Sequence, residues 1–190
     1  MAPSINPGTA AIQSFMAELY GKSQWENAVS ATGLYQTYVN FFGNPSNYAI
    51  EPLVPSNLTQ PTLELPFEIG TTWSFTGGPH SAWGSGSAWG ALDFAPPGEP
   101  LGCVVSDAWA TSVADGLVVR SNEGSVLLDL DGDGLEQTGW VILYLHIDSY
   151  ERVTSGTYVH TGDKIGHPSC EGGVSYGTHM HIARKYNGEW

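Results

Sequence analysis

The sequence predicts a mainly β protein, with an antiparallel sandwich or barrel-like β domain preceded by a short helical region. Charged residues make up only 13% of the 190 residues, whereas glycine (24) and proline (12) are abundant. From about Leu63 onward, short β-prone runs are separated by Gly, Asp and Ser, and this pattern is typical of antiparallel sandwiches and barrels. We therefore divide the chain into a helical N-terminal region with a proline-rich connector, 1–60, and a β domain, 61–190.

The N-terminal region carries the helical signals. Its first predicted helix, which Gly21 ends, has apolar residues at the i, i+3, i+4, i+7 spacing of an amphipathic helix. These residues are Ile12, Phe15, Met16 and Leu19. Two further helices are predicted over 23–31 and 34–42, before a run of prolines marks an extended connector.

The β domain is predicted to consist of short strands. They are expected at 104–105, 116–120, 125–130, 140–147, 158–159, 164–166 and 179–182. The run 140–147 is the most apolar, which predicts a central strand. The chain stops at Asn187–Trp190, just after a predicted hairpin turn, so we expect a truncated or unusually short C-terminal end.

Composition excludes several classes of partner. The formal net charge is −13 with only six basic residues, too few to neutralise the phosphates of nucleic acid or to dock on an anionic membrane. No apolar run approaches 18 residues, so no membrane span is predicted. The first eight residues lack the basic and apolar regions of a signal peptide. We expect a monomer.

Two cysteines, Cys103 and Cys170, allow one disulfide. A disulfide would fit an oxidising compartment, and two buried free thiols are the alternative.

The pair His179 and His181 is the strongest chemical signal in the chain. Residues i and i+2 of a strand point to the same face, so the two imidazoles would lie together. Paired imidazoles bind metal or exchange protons near neutral pH. Upstream, His80, Asp93 and His146 stand in segments that look like strand ends or loops. This set would supply three zinc ligands and a proton-transfer group.

Five motifs occur in order between about residues 65 and 188. They are Leu65-Pro66-Phe67 with Trp73; Gly78-Pro79-His80-Ser81 leading to Leu92-Asp93-Phe94; Tyr144-Leu145-His146-Ile147; Gly162-Asp163-Lys164-Ile165-Gly166; and Cys170-Glu171-Gly172-Gly173 ahead of Gly177-Thr178-His179-Met180-His181. With these motifs the chain resembles the lysostaphin/LytM-type zinc endopeptidases, most closely their beta-lytic, LasA-like branch. The first sixty residues lie outside the resemblance.

The resemblance implies a role for each of the five residues. His80, Asp93 and His181 would hold one Zn²⁺, and His146 and His179 would act on substrate and water. Two neutral imidazoles and one carboxylate leave zinc a free position for water, as catalytic sites require. A histidine that is not a ligand can then take and pass on the water proton. Cys170 fits the family's loop before His-x-His, whereas Cys103 stands earlier in the chain than the family's partner cysteine.

Other interpretations of these residues are simpler. His146 and Tyr144 share one face of the predicted central strand, so His146 could be a core histidine. His179 and His181 could form an exposed pair. His80 could be an ordinary turn residue, and Asp93 could cap a turn.

Two further groups of residues are noted. Aromatic residues near the ligand motifs are candidates for a substrate groove, with loop packing as the alternative. These are Trp83, Trp89, Tyr144 and Tyr176. The run Asp129, Asp131, Asp133 looks like the start of a calcium loop, but position 12 would be Trp140 instead of Glu, so we expect an acidic turn without Ca²⁺.

The resemblance predicts a secreted zinc metalloendopeptidase. Its substrate would be the peptide portion of bacterial peptidoglycan, at Gly- or Ala-containing cross-links or stem peptides. The alternative is a non-catalytic cell-wall-binding or regulatory domain on the same fold.

Overall fold

The computed structural model describes residues 4–5, 49–50, 57–84 and 86–190. Those ranges contain eleven strands and no helix. The strands are β1 (Ser4–Ile5), β2 (Ala49–Ile50), β3 (Ser74–His80), β4 (Ala91–Ala95), β5 (Ala110–Thr111), β6 (Gly116–Asn122), β7 (Ser125–Asp129), β8 (Trp140–Leu145), β9 (Tyr158–Val159), β10 (Lys164–Gly166) and β11 (Met180–Tyr186). The predicted helices between residues 9 and 42 lie outside the described residues.

A seven-stranded antiparallel sheet forms the centre of the β domain. Its strand order is β3-β4-β11-β8-β7-β6-β9. A small antiparallel sheet pairs β10 with β5, and β1 pairs with β2 in parallel. The predicted fold class, mainly β and antiparallel, is confirmed. Nowhere in the described ranges is there a helix with the length and hydropathy needed to cross a membrane.

Both faces of the large sheet are buried. On one face Val118, Leu128, Ile142 and Tyr144 belong to a cluster that also contains Ile165 of the small sheet. On the other face lies a smaller cluster of Ala82, Ala91, Leu127, Val141, Leu143 and Ala183. Strand β8 contributes to both, which explains its continuous apolar sequence.

The sequence located most strands after residue 116, and it was wrong about one earlier strand. The pair Val104-Val105 is a loop, not the start of a strand. Its backbone is held instead by Thr178, whose hydroxyl accepts from N–H of Val104 at 2.9 Å and donates to C=O of Val104 at 2.7 Å. Strands β3 and β4 were not predicted, because β3 contains Gly77, Gly78 and Pro79, all poor strand formers.

Cys103 and Cys170 form a disulfide, which confirms that prediction. The bridge closes a separation of 67 residues. In the chain-entropy model a loop of this length stabilises the fold by about 4 kcal/mol. The bridge also fixes residue 170 next to the chain segment that leads to His179.

Candidate metal centre and active site

Three neighbouring strands bring His80, Asp93 and His181 together. His80 ends β3, Asp93 lies in the middle of β4, and His181 is the second residue of β11. Asp93 and His181 are direct partners in the β4–β11 pairing, so their side chains share a face. One donor atom from each of the three side chains lies within 4.8 Å of the others.

The donor atoms of the three side chains lie close to one another. Nε2 of His80 is 2.8 Å from Oδ2 of Asp93, and Nδ1 of His181 is 3.2 Å from Oδ1. Within the described part of the chain, Nε2 of His80 and Oδ1 of Asp93 are buried without a hydrogen-bond partner. Unsatisfied buried polar atoms are costly. Two imidazole nitrogens and a carboxylate oxygen are donors that suit zinc, so the three residues fit a metal ion.

The proton on His181 is placed by a backbone carbonyl. Nε2 of His181 is 2.9 Å from C=O of Ala82. A carbonyl can only accept, so Nε2 carries a proton, and in the neutral ring the lone pair then lies on Nδ1, the nitrogen that faces Asp93. The ring is thereby set in the tautomer that a metal ligand needs.

Asp93 is held in its ionised form. Burial alone would raise its pKa, but the imidazoles of His181, His80 and His179 outweigh burial and hold the pKa below its usual range. Gly77 gives the carboxylate room, because a Cβ on residue 77 would lie 2.9 Å from Oδ2 of Asp93.

His146 and His179 lie beside this group. The rings of His146 and His179 have centroids 4.6 Å apart, and the centroid of His146 is 6.2 Å from that of His181. Nε2 of His179 is 3.8 Å from Oδ2 of Asp93. The structure therefore brings together all five residues that the motifs singled out.

The expectation that His146 shares a face with Tyr144 was wrong. Strand β8 ends at Leu145, and His146 has φ +65°, in the left-handed region. The turn removes residue 146 from the strand alternation, so Tyr144 is buried in the core while His146 lies against His179 and His181. A left-handed φ is uncommon for residues other than glycine, and the composition of the run gave no sign of it.

Both of these histidines carry their proton on Nδ1. Nδ1 of His146 is 3.1 Å from C=O of Glu171, and Nδ1 of His179 is 2.8 Å from C=O of Gly177. Because carbonyls accept, the proton lies on Nδ1, and Nε2 of the neutral ring then keeps the lone pair. Burial, and then the charge of His179, lower the pKa of His146 to about 4, so its ring is neutral near pH 7. Sequence reasoning missed these carbonyls, since a backbone acceptor has no residue-type signature.

The predicted groove residues differ in their exposure. Trp89 is 75% exposed and Tyr176 is 91% exposed. Trp83 is 46% exposed and stacks on Trp190 at 6.3 Å. Tyr144 is fully buried, and its hydroxyl accepts from N–H of Val113 at 2.8 Å. Tyr144 cannot contact a substrate, so its assignment to the groove was wrong.

The acidic run is compact. Asp129, Asp131 and Asp133 offer oxygens within 4.8 Å of one another, an arrangement that a cation could occupy. Burial, followed by the charges of the other two carboxylates, raises the pKa of Asp131 to about 7. Backbone N–H groups of Asp131 and Gly134 already bond to buried Asp129. The expectation of an acidic turn without Ca²⁺ stays a prediction.

The turn between β6 and β7 packs against the segment that holds His146. Gly124 has φ +74°, and a Cβ there would lie 2.3 Å from C=O of Glu171. We expect Gly124→Ala to destabilise the fold by about 3–5 kcal/mol, from backbone strain plus overpacking. Gly156→Ala is the matched control, because Gly156 has φ +87° in open space and should cost only about 1–2 kcal/mol. Denaturant unfolding measures both, and equal losses would contradict the predicted contact.

Known proteins share this sequence pattern and fold. No family model matches the chain. Protease LasA from two strains of Pseudomonas aeruginosa is 26% and 27% identical over 205 aligned residues, which cover 97% of this chain and 46% of the relative. The solved structure of the M23 metalloprotease pseudoalterin from the deep sea superposes with a TM-score of 0.54 at 26% identity, covering 69% of this chain and 74% of that one. The chain is thus similar to the lysostaphin/LytM-type (M23) metalloproteases, near LasA.

The match to the M23 family confirms the resemblance that the five motifs indicated. The chain spans about half the length of the curated relatives. The alignment with LasA takes in 97% of this chain and so spans the segment from residue 80 to residue 181 that contains the candidate site residues.

Proposed function

We propose that residues 61–190 form a zinc-dependent endopeptidase domain, with residues 1–60 as an appended N-terminal region. The observation that carries the proposal is the group of His80, Asp93 and His181, whose donor atoms lie within 4.8 Å. Two further histidines, neither needed as a ligand, lie against it. A metal centre with adjacent proton carriers is the arrangement that hydrolysis of a peptide bond requires.

The three donors would hold one zinc ion. When bound, zinc would polarise the scissile carbonyl and lower the pKa of water towards about 7. The lowered pKa of Asp93 keeps it a carboxylate, and Nδ1 is the nitrogen of His181 that lies beside it, so both would present a donor atom to the ion.

His146 and His179 would carry protons. Each ring donates from Nδ1 to a backbone carbonyl, so Nε2 is the nitrogen that would exchange a proton. The lone pair can accept a proton from the attacking water, and the resulting imidazolium can donate it to the leaving amine. The desolvated environment of His146 favours return of the proton, because its pKa lies at about 4.

The substrate we propose is the peptide portion of bacterial peptidoglycan, at Gly- or Ala-containing bonds, which implies a secreted and monomeric protein. The family resemblance supports this choice. Trp83, Trp89 and Tyr176 are exposed enough to line a groove. Aromatic faces packed on a flexible Gly-rich peptide would offset part of its ordering entropy.

Metal analysis combined with a chelator-sensitive digestion tests the proposal. We expect about one zinc per chain and release of new amino groups from purified peptidoglycan. A chelator should stop the release, and added zinc should restore it. A zinc-loaded protein that bound peptidoglycan but released no amino groups would instead be a wall-binding or regulatory domain.

A further inference from the structure

The backbone of His146 is held in a strained conformation by one neighbouring segment. C=O of His146 accepts from N–H of Ser169 at 2.7 Å and from the Ser169 hydroxyl at 3.1 Å. A left-handed residue of this type persists only where its surroundings over-determine it. The position of residues 169–171 therefore decides where the His146 ring lies.

The same segment supplies the acceptor for the ring. C=O of Glu171 accepts from Nδ1 of His146 at 3.1 Å. N–H of Glu171 is bound to the Ser169 hydroxyl at 2.9 Å, and the adjacent Cys170 is tied to Cys103. These contacts hold the N–H of residue 171, which lies on the opposite side of the residue from the carbonyl that faces the ring.

The Glu171 side chain is held by Arg152. Nη1 of Arg152 donates to Oε1 of Glu171 at 3.1 Å and to C=O of Ile147 at 2.8 Å. One guanidinium nitrogen thus joins the residue after His146 to the residue whose carbonyl holds the His146 ring. The Arg152 side chain is 10% exposed and that of Glu171 is 30% exposed. A pair that is partly shielded from water holds its two side chains in a narrow range of positions.

We propose that Arg152 is a positioning residue for His146. By clamping Ile147 and Glu171 together, it keeps the His146 ring in the Nδ1–H tautomer and in place beside His179 and His181. The kinetic part of this inference rests on the proposed function. The tautomer part rests on the geometry of Arg152, Glu171 and His146 alone.

Arg152→Met, studied in the zinc-loaded protein, tests the inference. The chain has six histidines, so ¹⁵N-histidine NMR signals can be assigned by single substitutions. The wild type should show His146 as a single Nδ1–H tautomer, and Arg152→Met should show a mixture with rapid exchange of that proton. We expect kcat to fall about tenfold, the scale typical of losing a residue that orients a site group. Zinc content should not change, and KM should stay within about twofold.

Two variants separate positioning from a general loss of structure. Arg152→Lys should restore much of kcat and the His146 signal, because an ammonium group also has donors for both acceptors. Arg184→Met, in which the lost guanidinium lies over the Trp140 ring, is the matched control and should leave both readouts unchanged. If Arg152→Met does not fold, Glu171→Ala replaces it and should produce the same tautomer mixture.

A wild-type His146 signal and wild-type kcat in the folded Arg152→Met variant would overturn the inference, as would a wild-type His146 signal in Glu171→Ala. If the zinc-loaded wild type cleaves no peptide, the proposed function fails. The NMR comparison still decides the role of Arg152 in that case.

Discussion

Replacing His181 with alanine is expected to abolish metal binding. The side chain is 7% exposed, and its Nδ1 faces Asp93 while Ala82 holds its other nitrogen. Alanine leaves only two of the three donors. We expect the affinity for zinc to fall by more than the 10–100-fold that is typical of losing an outer partner. Hydrolysis should become undetectable.

Zinc content by atomic spectroscopy, measured after dialysis against a weak chelator, is the direct readout for His181→Ala. His160→Ala is the matched control, since His160 is 71% exposed and pairs only loosely with Asp115 at 3.4 Å. It should bind zinc like the wild type. A His181→Ala protein that retained one zinc per chain would remove His181 from the ligand set.

Replacing His146 or His179 with alanine is expected to give the opposite pattern. Both should retain zinc, because neither belongs to the group of donors that lie within 4.8 Å of one another. Turnover should fall by about 10²–10⁴-fold, the usual contribution of a general acid or base. The two rings lie 4.6 Å apart and would act on the same proton path, so the double variant should lose little more than the worse single variant.

Single-turnover hydrolysis and zinc content, measured on the same preparations, separate these roles. His160→Ala again serves as the control for removing an imidazole. Loss of zinc from His146→Ala or His179→Ala would make that residue a ligand. Wild-type turnover in both variants would contradict acid–base catalysis by these residues.

Sequence patterns predicted the strands that are rich in β-branched and aliphatic residues. The run that became β8 is buried on both faces, and such strands are visible as continuous apolar stretches. The five candidate site residues were singled out because the motifs that contain them occur in the same order as in a known family. Composition could not reveal β3, in which Gly77 makes room for Asp93 and whose pairing with β4 shifts register.

The parts that the sequence did not predict depend on the backbone. Strand alternation put His146 with Tyr144, and a single left-handed residue reversed that assignment. The carbonyls of Ala82, Glu171 and Gly177 set three tautomers, yet any residue could provide them. Distances of this kind arise from tertiary packing and have no local pattern.

The loop between β3 and β4 is closed at its neck by a hydrogen bond from N–H of Ala82 to C=O of Ala88 at 2.9 Å. The candidate ligands on either side of it, His80 and Asp93, are positioned by strand pairing, and C=O of Ala82 accepts from Nε2 of His181. We therefore expect changes at residues 83, 84, 86 and 87 to leave the three donor atoms in place. Natural variation or directed evolution could therefore change which substrate is bound by changing this loop, while the three donor side chains keep their positions.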